Sequence, residues 1–147
     1  MKKLTWISLL LLGFLISCNT QKSEPAQNQE TVKDGVFIHV SSNDPHRVLM
    51  ALRMADMFSE THDVMMYFDI QGINVILNDA ADLTFAEFPS SHAQLNKLIE
   101  KGLEIHACPG CLKAMGKTPE DVRTGVKIAE KDKFFGFTKG RILTLDY

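Results

Sequence analysis

Leu103-Glu104-Ile105-His106-Ala107-Cys108-Pro109-Gly110-Cys111-Leu112-Lys113-Ala114-Met115-Gly116 is the stretch on which the fold turns. Residues 103–107 read as a short strand, and the chain then starts a short helix over 109–115. Pro109 suits the first helical position, where no backbone N–H is needed, and Gly116 suits a stop built on a left-handed residue. A strand feeding straight into a helix is the building unit of an α/β domain with a parallel sheet. In such sheets ligands and reactive groups gather just beyond the C-terminal ends of the strands.

The same alternation extends in both directions. Upstream, Ser91-His92-Ala93-Gln94 is a capping-box pattern opening a helix that buries Leu95, Leu98 and Ile99 and ends at Gly102. Residues 63–70 (DVMMYFDI) form a near-continuous apolar run, as expected of a parallel strand covered on both faces. Residues 36–40 (VFIHV) give another strand, after which Asp44-Pro45 reads as an N-cap and first helical residue. Val48, Ala51, Leu52, Ala55 and Phe58 line one face of that helix. Residues 71–89 are less regular, with a short helix or strand near 73–77 and an irregular crossover over 79–88. Downstream, Thr118-Pro119-Glu120-Asp121 opens a short turn of helix, 126–129 a fourth strand, 131–137 a helical turn or two, and 141–145 a closing strand. The expected architecture is α/β, a mostly parallel sheet of about five strands with helices on both faces.

Cys108 and Cys111 lie at the strand-to-helix junction. With Cys108 near the N-cap and Cys111 two residues beyond Pro109, both sulfurs fall on one side of the first turn, within reach of a disulfide. Free N–H groups at the helix start favour the Cys108 thiolate, the nucleophile in disulfide exchange and sulfur transfer. Chemistry is one use of such a pair, and a permanently closed local disulfide is another. A third is metal: His106, Cys108 and Cys111 form an H-x-C-x-x-C cluster that could hold Cu(I) or Zn(II), with Met115 one turn beyond. A lone CxxC permits a metal without requiring one, and nothing else in the sequence asks for a cofactor. Asn43, Asp44, His46 and Arg47 follow the first strand on the same edge of the sheet and are candidates to line a pocket there. Capping and surface roles suit them as well. His39 reads as a satisfied, half-buried strand histidine, and His62 and His92 as surface residues. Met50, Met54, Met57, Met65 and Met66 read as core packing.

The N-terminus has a different character. Met1-Lys2-Lys3 precedes an apolar run over residues 4–16. That run is shorter than the roughly 20 residues a helix needs to cross a bilayer, and a charged start before a short apolar run is a secretory signal. Leu15-Ile16-Ser17-Cys18 resembles the lipobox of bacterial lipoproteins. The resemblance implies diacylation of the Cys18 thiol, cleavage of a signal peptide over 1–17, and acylation of the new amine, an anchor of two or three chains. An ordinary secretory signal with an incidental cysteine is the plainer alternative. Asn19 beside the lipidated residue favours the outer membrane by one bacterial sorting rule; the cell membrane is the other location. Residues 18–33 are polar with almost nothing to bury and read as the lipidated cysteine and a flexible tether. The folded domain is then 34–147, a single-domain size. A net charge of −2 and a pI near 6.2 give no reason to expect a nucleic-acid partner. Of three cysteines, lipid consumes one and leaves an even pair. Outside the cytoplasm a disulfide is the default state of that pair, and a reduced thiol there needs a dedicated reductant.

From residue 35 to 147 the chain resembles the DsrE/DsrF-like family, also called the YchN-like fold. The first strand leads into an Asn-Asp-Pro helix start with Arg47, the second ends near Asp69 with Gly72-Ile73 after it, and the strand 103–107 runs into Cys108. Cys108 and Gly116 match the spacing between the family's reactive cysteine and a following glycine, whereas Cys111 is an addition found in a C-x-x-C-L-K-A-x-G branch. The resemblance implies an α/β domain assembling into trimers or hexamers, with cysteines near the subunit contacts. It also implies that a cysteine at the Cys108 position accepts sulfur as a persulfide and passes it to a thiol partner. The better understood members are cytoplasmic, so their donors and acceptors would not meet an exported, lipid-tethered relative.

Overall fold

β1 (Gly35–Val40) pairs on both sides, with β2 (Asp63–Phe68) and with β5 (Ile142–Asp146), and both pairings are parallel. β2 continues to β3 (Glu104–Ala107) and β3 to the two-residue β4 (Lys127–Ile128), again parallel. The five strands therefore stand in the order β4-β3-β2-β1-β5. The α/β class and the five-stranded parallel sheet are those the sequence implied. The structure is a computed structural model and describes residues 32–147; the expected signal over 1–17, the expected lipid site Cys18 and the expected tether as far as residue 31 lie outside the described residues. Among the described residues no helix is long and apolar enough to cross a membrane.

α1 (Pro45–Phe58) joins β1 to β2, and α2 (Ser91–Glu100) precedes β3 and packs on α1. Asp44 caps α1 as expected, its carboxylate accepting from the Arg47 N–H at 3.0 Å. Val48, Leu49, Ala51, Leu52 and Ala55 of α1 and Leu95 and Leu98 of α2 meet Val36, Ile38, Val40, Val64, Met66, Phe68, Ile105 and Ala107 of the sheet in one core. The strand residues in that set alternate along the chain, so they define one face. The connection from β4 to β5 must return across three strands. It runs over the second face, where Phe134 packs edge-on against Tyr67 and Phe37. Its one helical turn is Lys131–Lys133.

Several local expectations change. α2 is capped by Ser90, not Ser91: the Ser90 hydroxyl accepts from the Ala93 N–H, while Ser91 is buried inside the helix. Ser91 has another task, accepting from the Leu83 N–H at 2.9 Å and donating to Asp82 at 3.2 Å, which ties the irregular crossover to the helix. The uncertain segment near 73–77 is a 3-10 helix over Ile70–Val75, with Leu77 making a single antiparallel bridge to Val122. Met57 is 54 % exposed and is not core, because it faces away from the sheet on α1. Gly102 and Gly116 do adopt the left-handed conformation, φ 76° and 69°, and end the helices before them. Gly72 has a different reason to be glycine. A Cβ there would lie 2.0 Å from the Val40 carbonyl oxygen, so only glycine lets the turn after β2 press against the end of β1.

Candidate functional site

β2 and β3 end side by side, and the site is built where they stop. The Cys108 N–H donates to the Phe68 carbonyl at 2.9 Å, which holds the strand-to-helix junction against the end of β2. Cys108 then caps α3 (Pro109–Ala114), its sulfur accepting from the Cys111 N–H at 3.3 Å. The Cys111 sulfur is held differently, accepting from the Ile70 N–H at 3.2 Å. Ile70 has φ +44°, a genuine outlier for a β-branched residue. Its neighbours fix it there: the Asp69 N–H donates to the Val40 carbonyl and the Gln71 N–H to the Ser41 carbonyl, each at 3.2 Å. Both cysteines are free thiols and half-buried.

The two thiols are unequal. For Cys108, burial pushes the pKa up, but hydrogen bonding to the Tyr67 hydroxyl, the Cys111 thiol and the Cys111 and Gly110 amides outweighs it, and the net shift is downward. For Cys111 burial also pushes up. The Ile70 amide opposes this, yet the adjoining Cys108 sulfur and the Asp69 carboxylate add to the rise, which prevails. Tyr67 is itself pushed well above its ordinary value by burial and by its contact with the Cys108 sulfur, so it stays a neutral donor. The arrangement favours the anion at Cys108 and disfavours it at Cys111.

A row of polar side chains crosses the second face at this level. Strand register aligns Asp146, His39, Tyr67, His106 and Lys127 on five neighbouring strands. His39 Nδ1 lies 2.7 Å from Asp146 Oδ1, a hydrogen bond. Its Nε2 lies 2.9 Å from Asp69 Oδ1, an ion-pair contact whose atoms are not aligned for a hydrogen bond. Burial lowers the His39 pKa, but the two carboxylates outweigh it and the net shift is upward.

Of the residues singled out from sequence, the structure brings Cys108 and Cys111 together. It does not bring His106 to them. His106 Nε2 is engaged by Glu104 at 2.9 Å, and Glu104 in turn pairs with Lys127 at 2.7 Å, on the wall of a cleft of about 920 Å³ under the β4–β5 connection. Among the described residues no group of three or more His, Cys, Asp and Glu side chains is placed to hold a metal ion, so the H-x-C-x-x-C set is not assembled. His46 stacks on Phe85, ring centroids 4.3 Å apart, and belongs to the crossover rather than to the thiols. Asn43 and Arg47 are exposed, and Asp44 is committed to its cap.

Sequence reasoning missed Tyr67, Asp69 and the Ile70 amide. Tyr67 carried a signal, since a tyrosine in an otherwise apolar buried strand needs a partner for its hydroxyl. The Ile70 amide carried none, because a left-handed isoleucine cannot be anticipated from residue type. Beside Cys111 a mostly apolar groove of about 400 Å³ opens between Ile70, Gln71 and Asn74 on one side and Ala114 and Met115 on the other.

The family model described as DsrE/DsrF-like family matches residues 34–140. Among solved structures, MTH1491, a protein of unknown function from Methanobacterium thermoautotrophicum, is similar at 18 % identity and a TM-score of 0.56, over 76 % of this chain and 98 % of that one. The ychN protein from E. coli is similar at 15 % identity and a TM-score of 0.58, over 78 % and 99 %. At these identities the two structures speak for the fold alone. No curated protein matches the sequence.

Proposed function

The chain belongs to the DsrE/DsrF-like family, a fold tied at family level to thiol and sulfur-relay chemistry, and on that premise we propose that it accepts sulfur on Cys108 and resolves it with Cys111. The single observation that carries this reading is the inequality of the pair. The Tyr67 hydroxyl and backbone amides lower the Cys108 pKa, whereas burial, the Cys108 sulfur and the Asp69 carboxylate raise that of Cys111. That is the division of labour between an attacking and a resolving thiol.

The Cys108 thiolate attacks the sulfane sulfur of a persulfide or polysulfide, the donor leaves as a thiolate, and a Cys108 persulfide forms. From there the sulfur passes to an acceptor thiolate, or Cys111 attacks the Cys108 sulfur. In the second course the S–S bond to the sulfane sulfur breaks, hydrosulfide leaves, and Cys108–Cys111 closes as a disulfide. Two electrons have then moved from the dithiol to the sulfane sulfur, and an external dithiol reductant restores the pair. In the same proposal, lipid on Cys18 holds the domain outside the cytoplasm. The chain self-associates, which exposed apolar residues Phe135 and Leu143 support.

The test is mass spectrometry of the full chain after exposure to polysulfide. One added sulfur should appear on Cys108, be absent in Cys108→Ser, and accumulate in Cys111→Ser, where resolution is blocked. No added sulfur on Cys108, together with no redox cycling of the pair, would sink the proposal.

A further inference from the structure

The next step rests on the reading of Cys108 and Cys111 as working thiols. We propose that His39 is a positioning residue for the pair: clamped between Asp146 and Asp69, it holds Asp69 beside the CxxC turn and offsets the negative charge Asp69 brings there.

Asp69 is the residue immediately before Ile70, whose amide holds the Cys111 sulfur. Its side chain is only 18 % exposed, so its charge is poorly screened by water. A carboxylate in that place opposes a second anion at the neighbouring sulfurs. Nothing in the CxxC turn itself supplies a countercharge, since α3 carries only Lys113, which is exposed and near its far end.

His39 supplies it from the adjacent strand. Both ring nitrogens face carboxylate oxygens, at 2.7 and 2.9 Å. A neutral imidazole has one nitrogen without a proton, and that nitrogen would turn a lone pair toward a carboxylate. Only the imidazolium suits both contacts. The titratable groups facing His39 are Asp69 and Tyr67 from β2 and its end, and Asp146 from β5. The connection crossing that face contributes Phe134, which packs on Tyr67 and Phe37 and is apolar. Asp146 is 71 % exposed and solvated. The Asp69 carboxylate weighs against an anion at Cys111, and the protonated His39 paired with it offsets that charge, an offset lost once His39 gives up its proton.

The experiment follows iodoacetamide alkylation of the reduced full chain across neutral pH, with Cys108 and Cys111 quantified separately by tandem mass spectrometry. His39→Gln should slow alkylation of the pair about three- to tenfold, the size of a charge effect at a partly exposed site. Asp69→Asn should accelerate Cys111 by a similar factor. In the Asp69→Asn background His39 loses the carboxylate contact that helps keep it protonated against burial, so His39→Gln there removes little charge and should change either rate by less than about twofold. A purely structural His39 would give the same slowing in both backgrounds. That result, or an unchanged profile in His39→Gln alone, overturns the proposal. Should His39→Gln fail to fold, Asp69→Asn decides by itself, and an unchanged Cys111 rate overturns it. Alkylation reads thiol ionisation whether or not sulfur is accepted. Absence of a Cys108 persulfide with an intact His39 effect therefore removes the sulfur reading and leaves the positioning role.

Discussion

The two faces of the sheet are made from the same strands and do opposite things. On one face Val36, Ile38, Val40, Val64, Met66, Phe68, Ile105 and Ala107 are closed over by α1 and α2 without a charged side chain among them. On the other, the same strands carry Phe37, His39, Met65, Tyr67, Glu104 and His106 beneath a single crossing connection. Tyr67 and Phe68 are adjacent in sequence, and the pleat sends one to each face. The backbone that Phe68 anchors holds Cys108 in place, and the hydroxyl that Tyr67 carries tunes it. Stability and chemistry are separated by one residue of register, so each can be damaged without the other.

The largest effect belongs to the closed face. Phe68→Ala should lower unfolding free energy by about 3–5 kcal/mol, as expected for a fully buried aromatic, read by denaturant titration. Tyr67→Phe, one residue away, should cost no more than about 1 kcal/mol, since ring packing is kept. If Tyr67→Phe proved the more destabilising, the division between faces would be wrong. Gly72→Ala should come next, at roughly 1–3 kcal/mol by thermal unfolding, because the added methyl meets a carbonyl of β1 that cannot swing away. The turn it disturbs also carries the Ile70 amide, so Cys111 alkylation should change in the same variant.

Tyr67→Phe should show its effect in reactivity. Loss of the hydroxyl that lowers the Cys108 pKa should slow Cys108 alkylation at neutral pH about tenfold, with Cys111 less affected. Equal slowing of both thiols would mean that the hydroxyl does not discriminate between them.

The closed face was legible in the sequence because burial leaves a pattern. Continuous apolar runs gave β1 and β2, helical spacing gave α1, and Asp44-Pro45 gave its start. Leu49 was overlooked beside Val48 because a helix packed on both a sheet and a second helix buries a wider stripe than a single face suggests. Cys108 and Cys111 were legible because a CxxC at a strand-to-helix junction has few other uses. The rest of the site depends on parallel pairing between strands far apart in the chain. His39 and Asp146 meet across β1 and β5, and 107 residues separate them. No local spacing announces such a contact. His46 and His106 misled for the same reason: proximity to the right edge of the sheet does not say which way a ring turns, and each found a nearer partner in Phe85 or Glu104.

The smallest effect lies at the far end of the polar row, where Glu104 joins Lys127 and His106. Lys127 lowers the Glu104 pKa, and His106 adds to it against the burial that raises it. The sign follows from that direction. Stability from a depressed carboxylate is present above the ordinary glutamate range and is lost as pH falls through the lower folded value. Glu104 and Lys127 are both substantially exposed, so solvent screens the pair and Lys127→Ala should cost less than about 1 kcal/mol at neutral pH. The gap between this variant and the parent should narrow as the solution is acidified below the glutamate range, read by denaturant titration at each pH. A gap constant with pH would mean that Lys127 acts by packing β4 against β3 and not by charge. A gap much above 1 kcal/mol would make this edge of the second face a structural element like the closed one.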